Sequence, residues 1–190
     1  MALIKIIVGS ARPVRVGDQV AEAVAPLVAE SSGAEVEIVD LRDLGLPLLN
    51  EPVMPALGNY ALEHTKQWAK IIDDADGVVF VTPQYNGGYP GSLKNAIDYL
   101  YAEWSGKPAF VLSYGARGGG LAAAQLSAVL DFIGLELVHE PVEVTLAREN
   151  YGEDGRLIDI DSDVTPIADQ VRSAGIALGE ALNAKVEATA

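Results

Sequence analysis

The stretch Gly77-Val78-Val79-Phe80-Val81-Thr82-Pro83-Gln84-Tyr85-Asn86-Gly87-Gly88-Tyr89-Pro90-Gly91 decides the fold. Its first six residues are almost continuously apolar, the pattern of a short strand buried on both faces. The next nine are turn chemistry, and after Pro90 a helical stripe begins, with Leu93, Ile97 and Leu100. Strand, loop and helix in that order form half of a βαβ unit, and the alternation continues in both directions. Upstream, Leu3 to Val8 is a second apolar run that stops at Gly9-Ser10. A helix follows from Val16, with Val16, Val20, Val24, Leu27 and Val28 on one face and Gly33 as its C′ residue. Glu35 to Asp40 alternates and predicts a strand with Val36 and Ile38 inward. Leu44 to Pro55 is too broken by prolines to be regular. The helix before Gly77 carries Leu62, Trp68, Ile72 and Ala75 on one stripe.

Downstream, Ala109 to Leu112 predicts a fourth strand and Leu121 to Ile133 a helix closed by Gly134. Leu135 to Val138 predicts the fifth strand, which Pro141 to Thr145 either extends or replaces. Glu149 to Arg156, with Gly152 and Gly155, reads as a hairpin or surface loop. A last helix is expected from Pro166, with Thr165 as N-cap and Ile167, Val171, Ala174, Leu178 and Leu182 inward. Five strands joined by helices imply an α/β domain with a parallel sheet covered on both faces. Right-handed crossovers make 2-1-3-4-5 the expected strand order. No linker, repeat or low-complexity tract divides the chain, so residues 1–190 are read as a single domain.

The chain of 190 residues suffices for one sizeable core. Its net charge of −14 repels nucleic-acid phosphates and anionic lipids, so neither is an expected partner. It has no cysteine, which removes disulfides and thiolate chemistry. Met-Ala-Leu-Ile-Lys-Ile-Ile-Val at residues 1–8 does not match a signal peptide and no apolar run approaches a membrane span, so a cytoplasmic location is expected.

In an open parallel sheet, ligands bind where neighbouring strand ends diverge, here between the first and third strands. Three loops should converge there. Gly9-Ser10-Ala11-Arg12-Pro13-Val14-Arg15-Val16-Gly17 joins a strand end to a helix start, where free N–H groups and the positive helix end favour an anion. Ser10 adds a hydroxyl, and Arg12 and Arg15 add forked donors suited to phosphate. Pro83 to Gly91 supplies aromatics, carboxamides and glycines that could line a flat heteroaromatic ligand. Ser113-Tyr114-Gly115-Ala116-Arg117-Gly118-Gly119-Gly120 permits close backbone approach but is neither a dinucleotide fingerprint nor a Walker loop.

Together these motifs resemble the NADPH-dependent FMN reductase family of flavodoxin-like proteins. Gly-Ser-x-Arg at 9–12, the long Pro-Gln-Tyr-Asn-Gly-Gly-Tyr-Pro-Gly-Ser-Leu-Lys-Asn-Ala-Ile-Asp-Tyr-Leu at 83–100 and Ser-Tyr-Gly-x-Arg-Gly-Gly at 113–119 carry the resemblance. It implies a flavodoxin-like three-layer sandwich holding FMN. Ser10, Arg12, Arg15, Val16 and Gly17 would bind the phosphate. Pro83, Gln84, Tyr85, Asn86 and Gly87 would line the isoalloxazine, with Ser113, Tyr114, Gly115, Arg117 and Gly118 on its other side. Some relatives carry Ser and Asn where this chain has Arg15 and Gly17. The resemblance also implies a hydride passing from NADPH or NADH to the flavin, then electrons to a quinone, azo compound, metal oxyanion or free flavin. Since the cofactor supplies the chemistry, no catalytic side chain is named. A homodimer or homotetramer built on the helix from Leu93 to Tyr101 is implied as well, with Trp104 as a buried anchor of the interface, and Arg117 is expected to meet either a nicotinamide phosphate or Asp98 of a second copy.

Two other readings were open. A flavodoxin-type electron carrier fits the acidic surface, but such carriers use a Ser/Thr-rich phosphate loop where this chain has arginines. A receiver-type regulatory domain would need an acidic cluster after the first strand and an Asp ending the third, and Gly9-Ser10 and Thr82-Pro83 stand there. His64 and His139 lie far apart without carboxylate spacing, so no metal site is expected. Asp73, Asp74 and Asp76 at a helix end read as solvated.

Overall fold

The computed structural model describes residues 1–189. A parallel sheet forms the middle layer, built from β1 (Leu3–Val8), β2 (Glu35–Asp40), β3 (Gly77–Pro83), β4 (Pro108–Gly115), β5 (Glu136–Leu137) and β6 (Val142–Thr145). The strand order is β2-β1-β3-β4-β5, as expected, and β6 also pairs with β4. The helices are α1 (Gly17–Ser32), α2 (Leu41–Leu44), α3 (Glu63–Asp73), α4 (Gly91–Asp98), α5 (Gly120–Phe132), α6 (Ile160–Val164) and α7 (Ala168–Thr189).

Alternation along the strands divides the core in two. Ile4, Ile6, Val8, Val79, Val81, Phe110 and Leu112 face α1 and α7, while Ile7, Val78, Phe80, Ala109 and Val111 face α3, α4 and α5. Every residue of β3 is buried, which is why its sequence shows no alternation. All five residues expected on the inner face of the last helix are buried, from Ile167 to Leu182. α1 and α7 approach closely at Gly175 and Gly179, where a Cβ on Gly179 would lie 2.5 Å from the Ser32 carbonyl oxygen. No helix is long and apolar enough to cross a membrane among the described residues.

Several expectations need correction. Ile38 is exposed, because β2 is the sheet edge and the helices cover only part of it. The fifth position is split: β5 pairs with Pro108 and Ala109 at the start of β4, and β6 pairs with Leu112 to Gly115 at its end. β4 itself runs three residues past Leu112, carrying Ser113, Tyr114 and Gly115 into the sheet. The C-terminal helical region starts at Ile160, with Asp159 as N-cap through its bond to the Ser162 amide; Thr165 lies in helical backbone and donates back to the Asp161 carbonyl. Asp76 is not merely solvated, since it accepts from the Leu3 amide at 2.8 Å, and Asp74 pairs with Lys70. Trp104, expected as a buried anchor of an interface, is instead fully buried within its own chain, where it packs on Trp68 and Phe80 and donates to the Ile97 carbonyl.

Candidate functional site

The carboxyl ends of β1, β3 and β4 open into a cavity of about 400 Å³, within the range of small-molecule sites. Its lining comprises Arg12, Val14, Arg15 and Val16 from the first loop, Pro83 to Tyr85 from the second, Tyr114 and Gly115 from β4, and Tyr151 and Gly155 from the hairpin beyond. All three expected loops therefore contribute. A larger groove of about 850 Å³ lies along α5, at the break between β5 and β6. Its rim carries the carboxylates Glu140 and Glu143, which suit no anion, and it is remote from the β1–β3 divergence.

The first loop is held from behind. The Gly9 amide donates to the Val81 carbonyl at 2.9 Å, Ser92 Oγ donates to the Gly9 carbonyl at 2.7 Å, and Ser10 Oγ lies 2.6 Å from the Tyr85 hydroxyl. Ser10 is thus fully buried and ties the first loop to the second. Val16, the residue before α1, offers no side-chain cap, so the helix start is uncapped apart from the Asp18 carboxylate in its own first turn. Gly17 is needed for close approach: a Cβ there would lie 2.6 Å from the Tyr114 hydroxyl.

The two arginines differ. Arg12 is exposed, with its guanidinium 6.0 Å from the Tyr85 ring centroid. Arg15 has a side chain only 2% exposed, and its Nη2 pairs with Asp40 at the end of β2. Part of its donor capacity is therefore committed within the chain, yet Nε is buried with no partner. The Tyr114 hydroxyl is likewise buried and unpartnered. Burial, reinforced by the neighbouring Tyr85, pushes the Tyr114 phenol well above its ordinary range, so it stays a protonated donor. Both orphaned donors belong to residues that line one cavity, beside the start of α1. That donor set fits a phosphate, because each orphan otherwise costs the desolvation of its group.

The second loop turns on Asn86 and Gly87, whose φ angles of +51° and +84° make the two-residue primed turn that an Asn-Gly pair favours. Tyr85 and Gly88 exchange backbone bonds across it, and Gln125 Nε2 donates to the Gly87 carbonyl at 3.1 Å. Asn86 and Gly87 form the tip and do not line the cavity. Gln84 caps α5, its Oε1 accepting from the Leu121 and Ala122 amides at 3.1 and 3.3 Å. Ser113 and Gly118 lie behind the cavity, bonded to each other through Ser113 Oγ and the Gly118 carbonyl at 2.8 Å. Arg117 is exposed and makes no hydrogen bond or ion pair among the described residues, while Asp98 is held by Lys94 of the same helix. His64 meets Asn50, and no cluster that could hold a metal ion is present among the described residues.

Sequence reasoning missed Val14, Tyr151 and Gly155. The glycines at 152 and 155 signalled the hairpin, but nothing local signalled that it folds back onto the first loop.

A sequence model of the NADPH-dependent FMN reductase family matches residues 2–150. The chain belongs to this family. An NAD(P)H-dependent FMN reductase of Schizosaccharomyces pombe is 45% identical over 148 residues, covering 77% of this chain and 74% of the relative. A quinone reductase of Pseudomonas putida is 35% identical over 148 residues, covering 73% and 74%. Among solved structures, the flavoenzyme NAD(P)H:(acceptor) oxidoreductase FerB of Paracoccus denitrificans superposes with a TM-score of 0.69 at 27% identity, covering 96% of this chain and 98% of that one. In this member of the FMN reductase family, the matched region ends just before Tyr151, so the hairpin lies outside it.

Proposed function

We propose that this chain is an FMN-dependent NAD(P)H oxidoreductase that passes electrons to a small-molecule acceptor such as a quinone. The observation that carries the reading is the pair of orphaned buried donors, Arg15 Nε and the Tyr114 hydroxyl, on two residues that line one cavity at the strand ends. Family membership and the reductase relatives support it over a carrier without its own NAD(P)H oxidation. When bound, FMN supplies two-electron chemistry between a reduced nicotinamide and the acceptor. The chain's residues do the holding. Arg12, Arg15, the Tyr114 hydroxyl and the start of α1 would meet the phosphate. Backbone groups of Pro83 to Tyr85 and Gly115 would border the ring, in a wall already stiffened by the Gln84 and Gln125 bonds. Exposed Arg117 is a candidate contact for the nicotinamide donor.

Assembly into a homodimer or homotetramer is supported by apolar surface beside α4. Leu48, Leu49, Val53, Met54 and Leu57 are exposed, and Asn95 and Tyr99 pin the start of that segment to α4. A cytoplasmic location is supported by the reduced-nicotinamide donor, which is made and kept inside cells.

The deciding measurement is an absorbance spectrum of the purified protein before and after anaerobic NADPH. Flavin bands that bleach within seconds are expected. Bands that stay oxidised with both NADPH and NADH would favour the carrier, and a colourless protein that binds no added FMN would end the flavin reading. Arg12→Ala should weaken FMN by about 1.5–3 kcal/mol, the worth of a charged hydrogen bond, in a fluorescence titration. Its thermal stability should hardly move, because Arg12 is exposed.

A further inference from the structure

The hairpin after residue 150 is tied to the phosphate loop and α1 by bonds between residues 138 to 141 positions apart. Tyr151 pairs with Leu157, the Gly152 amide donates to the Arg156 carbonyl at 2.8 Å, and Leu157 is buried in the core. Gln19, in the first turn of α1, clasps the Leu157 backbone with two bonds of 3.0 and 3.1 Å. Arg156 Nη1 donates to the Arg15 carbonyl at 2.7 Å and to both carboxylate oxygens of Asp18, at 2.8 and 2.7 Å. At the hairpin tip, a Cβ on Gly155 would lie 2.9 Å from Val14 Cγ1. Tyr151 and Gly155 face the cavity.

Asp18 poses an electrostatic problem. It is the second residue of α1, where a carboxylate competes with any phosphate for the same positive helix end. Burial opposes its ionisation, but the bonds and charge of Arg156, with first-turn amides, outweigh that and hold its pKa below the ordinary value. Asp18 is therefore an anion at neutral pH, and the group that cancels it comes from the hairpin.

We propose that the Tyr151–Leu157 hairpin is a fourth wall of the flavin phosphate site, and that Arg156 is a positioning residue that retains FMN by cancelling the charge of Asp18. The proposal rests on the FMN reading above. It assigns retention of the cofactor through turnover to a segment outside the residues that carry the family match. The site then keeps FMN as a resident group instead of exchanging it as a substrate.

The test is FMN release from the full-length protein, read as recovery of flavin fluorescence after dilution, with riboflavin as the probe that lacks a phosphate. Arg156→Ala should speed FMN release about tenfold, since losing one partner of a charge pair acts mainly on the off-rate. Riboflavin release should change less than twofold. Adding Asp18→Asn to Arg156→Ala should restore slow FMN release, because the uncancelled charge is gone. Unchanged FMN release in Arg156→Ala, an equal acceleration for riboflavin, or no rescue in the double variant would each overturn the proposal. Should Arg156→Ala fail to fold, Asp18→Asn alone must release FMN no faster than the unaltered protein, and faster release would overturn it. An unaltered protein that binds riboflavin and FMN equally well places no phosphate at α1 and overturns the proposal while leaving the flavin; one that binds neither removes the cofactor reading itself.

Discussion

Trp104→Ala should lower the unfolding free energy by about 3–5 kcal/mol, the usual cost of truncating a large buried aromatic. The side chain has no exposed surface, sits 6.0 Å from both the Trp68 and Phe80 ring centroids, and donates to the Ile97 carbonyl. Its removal opens a cavity under α4 and takes a donor from the Ile97 carbonyl, which keeps the Leu100 amide at 3.3 Å. Urea denaturation of the apoprotein measures the loss. The same loss at protein concentrations a hundredfold apart identifies a core residue, whereas a concentration-dependent one would return Trp104 to an interface role. A loss below about 1 kcal/mol would mean that the aromatic cluster contributes little to the fold.

Arg15→Ala should cost about 3 kcal/mol of stability before any cofactor is added, because it leaves the Asp40 carboxylate at the end of β2 without its cation. Asp40 keeps one bond, from the Arg42 amide at 2.9 Å, so the strand end is weakened and not abolished. The contrast with Arg12→Ala is the useful result: both variants should weaken FMN binding, but only Arg15→Ala should also be felt in apoprotein stability. The pair is nearly enclosed, so 0.5 M salt should recover little of the Arg15→Ala loss. A stable Arg15→Ala protein that binds FMN poorly would show instead that Arg15 serves the ligand alone.

The parts of the fold visible in the sequence are those set by local periodicity. Val16 to Val28 recur at helical spacing, and Val78 to Val81 run unbroken because both faces of β3 are covered. The three loops were legible because strand ends and helix starts leave unpaired backbone groups, and Gly, Ser and Arg at those joints are informative. What stayed hidden depends on distance along the chain. Arg15 looked like a free phosphate donor because its partner, Asp40, is 25 residues away. Trp104 looked available because the Trp68 and Phe80 rings it fills against come from other elements. The split of the fifth strand had half a signal, the interruption at His139-Glu140-Pro141, but only pairing with opposite ends of β4 distinguishes replacement from extension. Arg156 had none, since its partners in the first loop and α1 lie about 140 residues earlier, and Tyr151 reaches the cavity only because the hairpin is held there.

The close meeting of α1 and α7 at Gly175 and Gly179 bears on the order in which the protein becomes competent. During synthesis every loop that lines the cavity, apart from the hairpin, emerges within the first 115 residues, long before α7. Until α7 arrives, Val20, Val24 and Val28 of α1 have no cover on the side where Val171, Ala174 and Leu178 will lie. The nascent chain therefore carries most of the cavity on a helix that rests on the sheet but lacks its second support. The helix start that faces the cavity gains its full support only when α7 packs on α1.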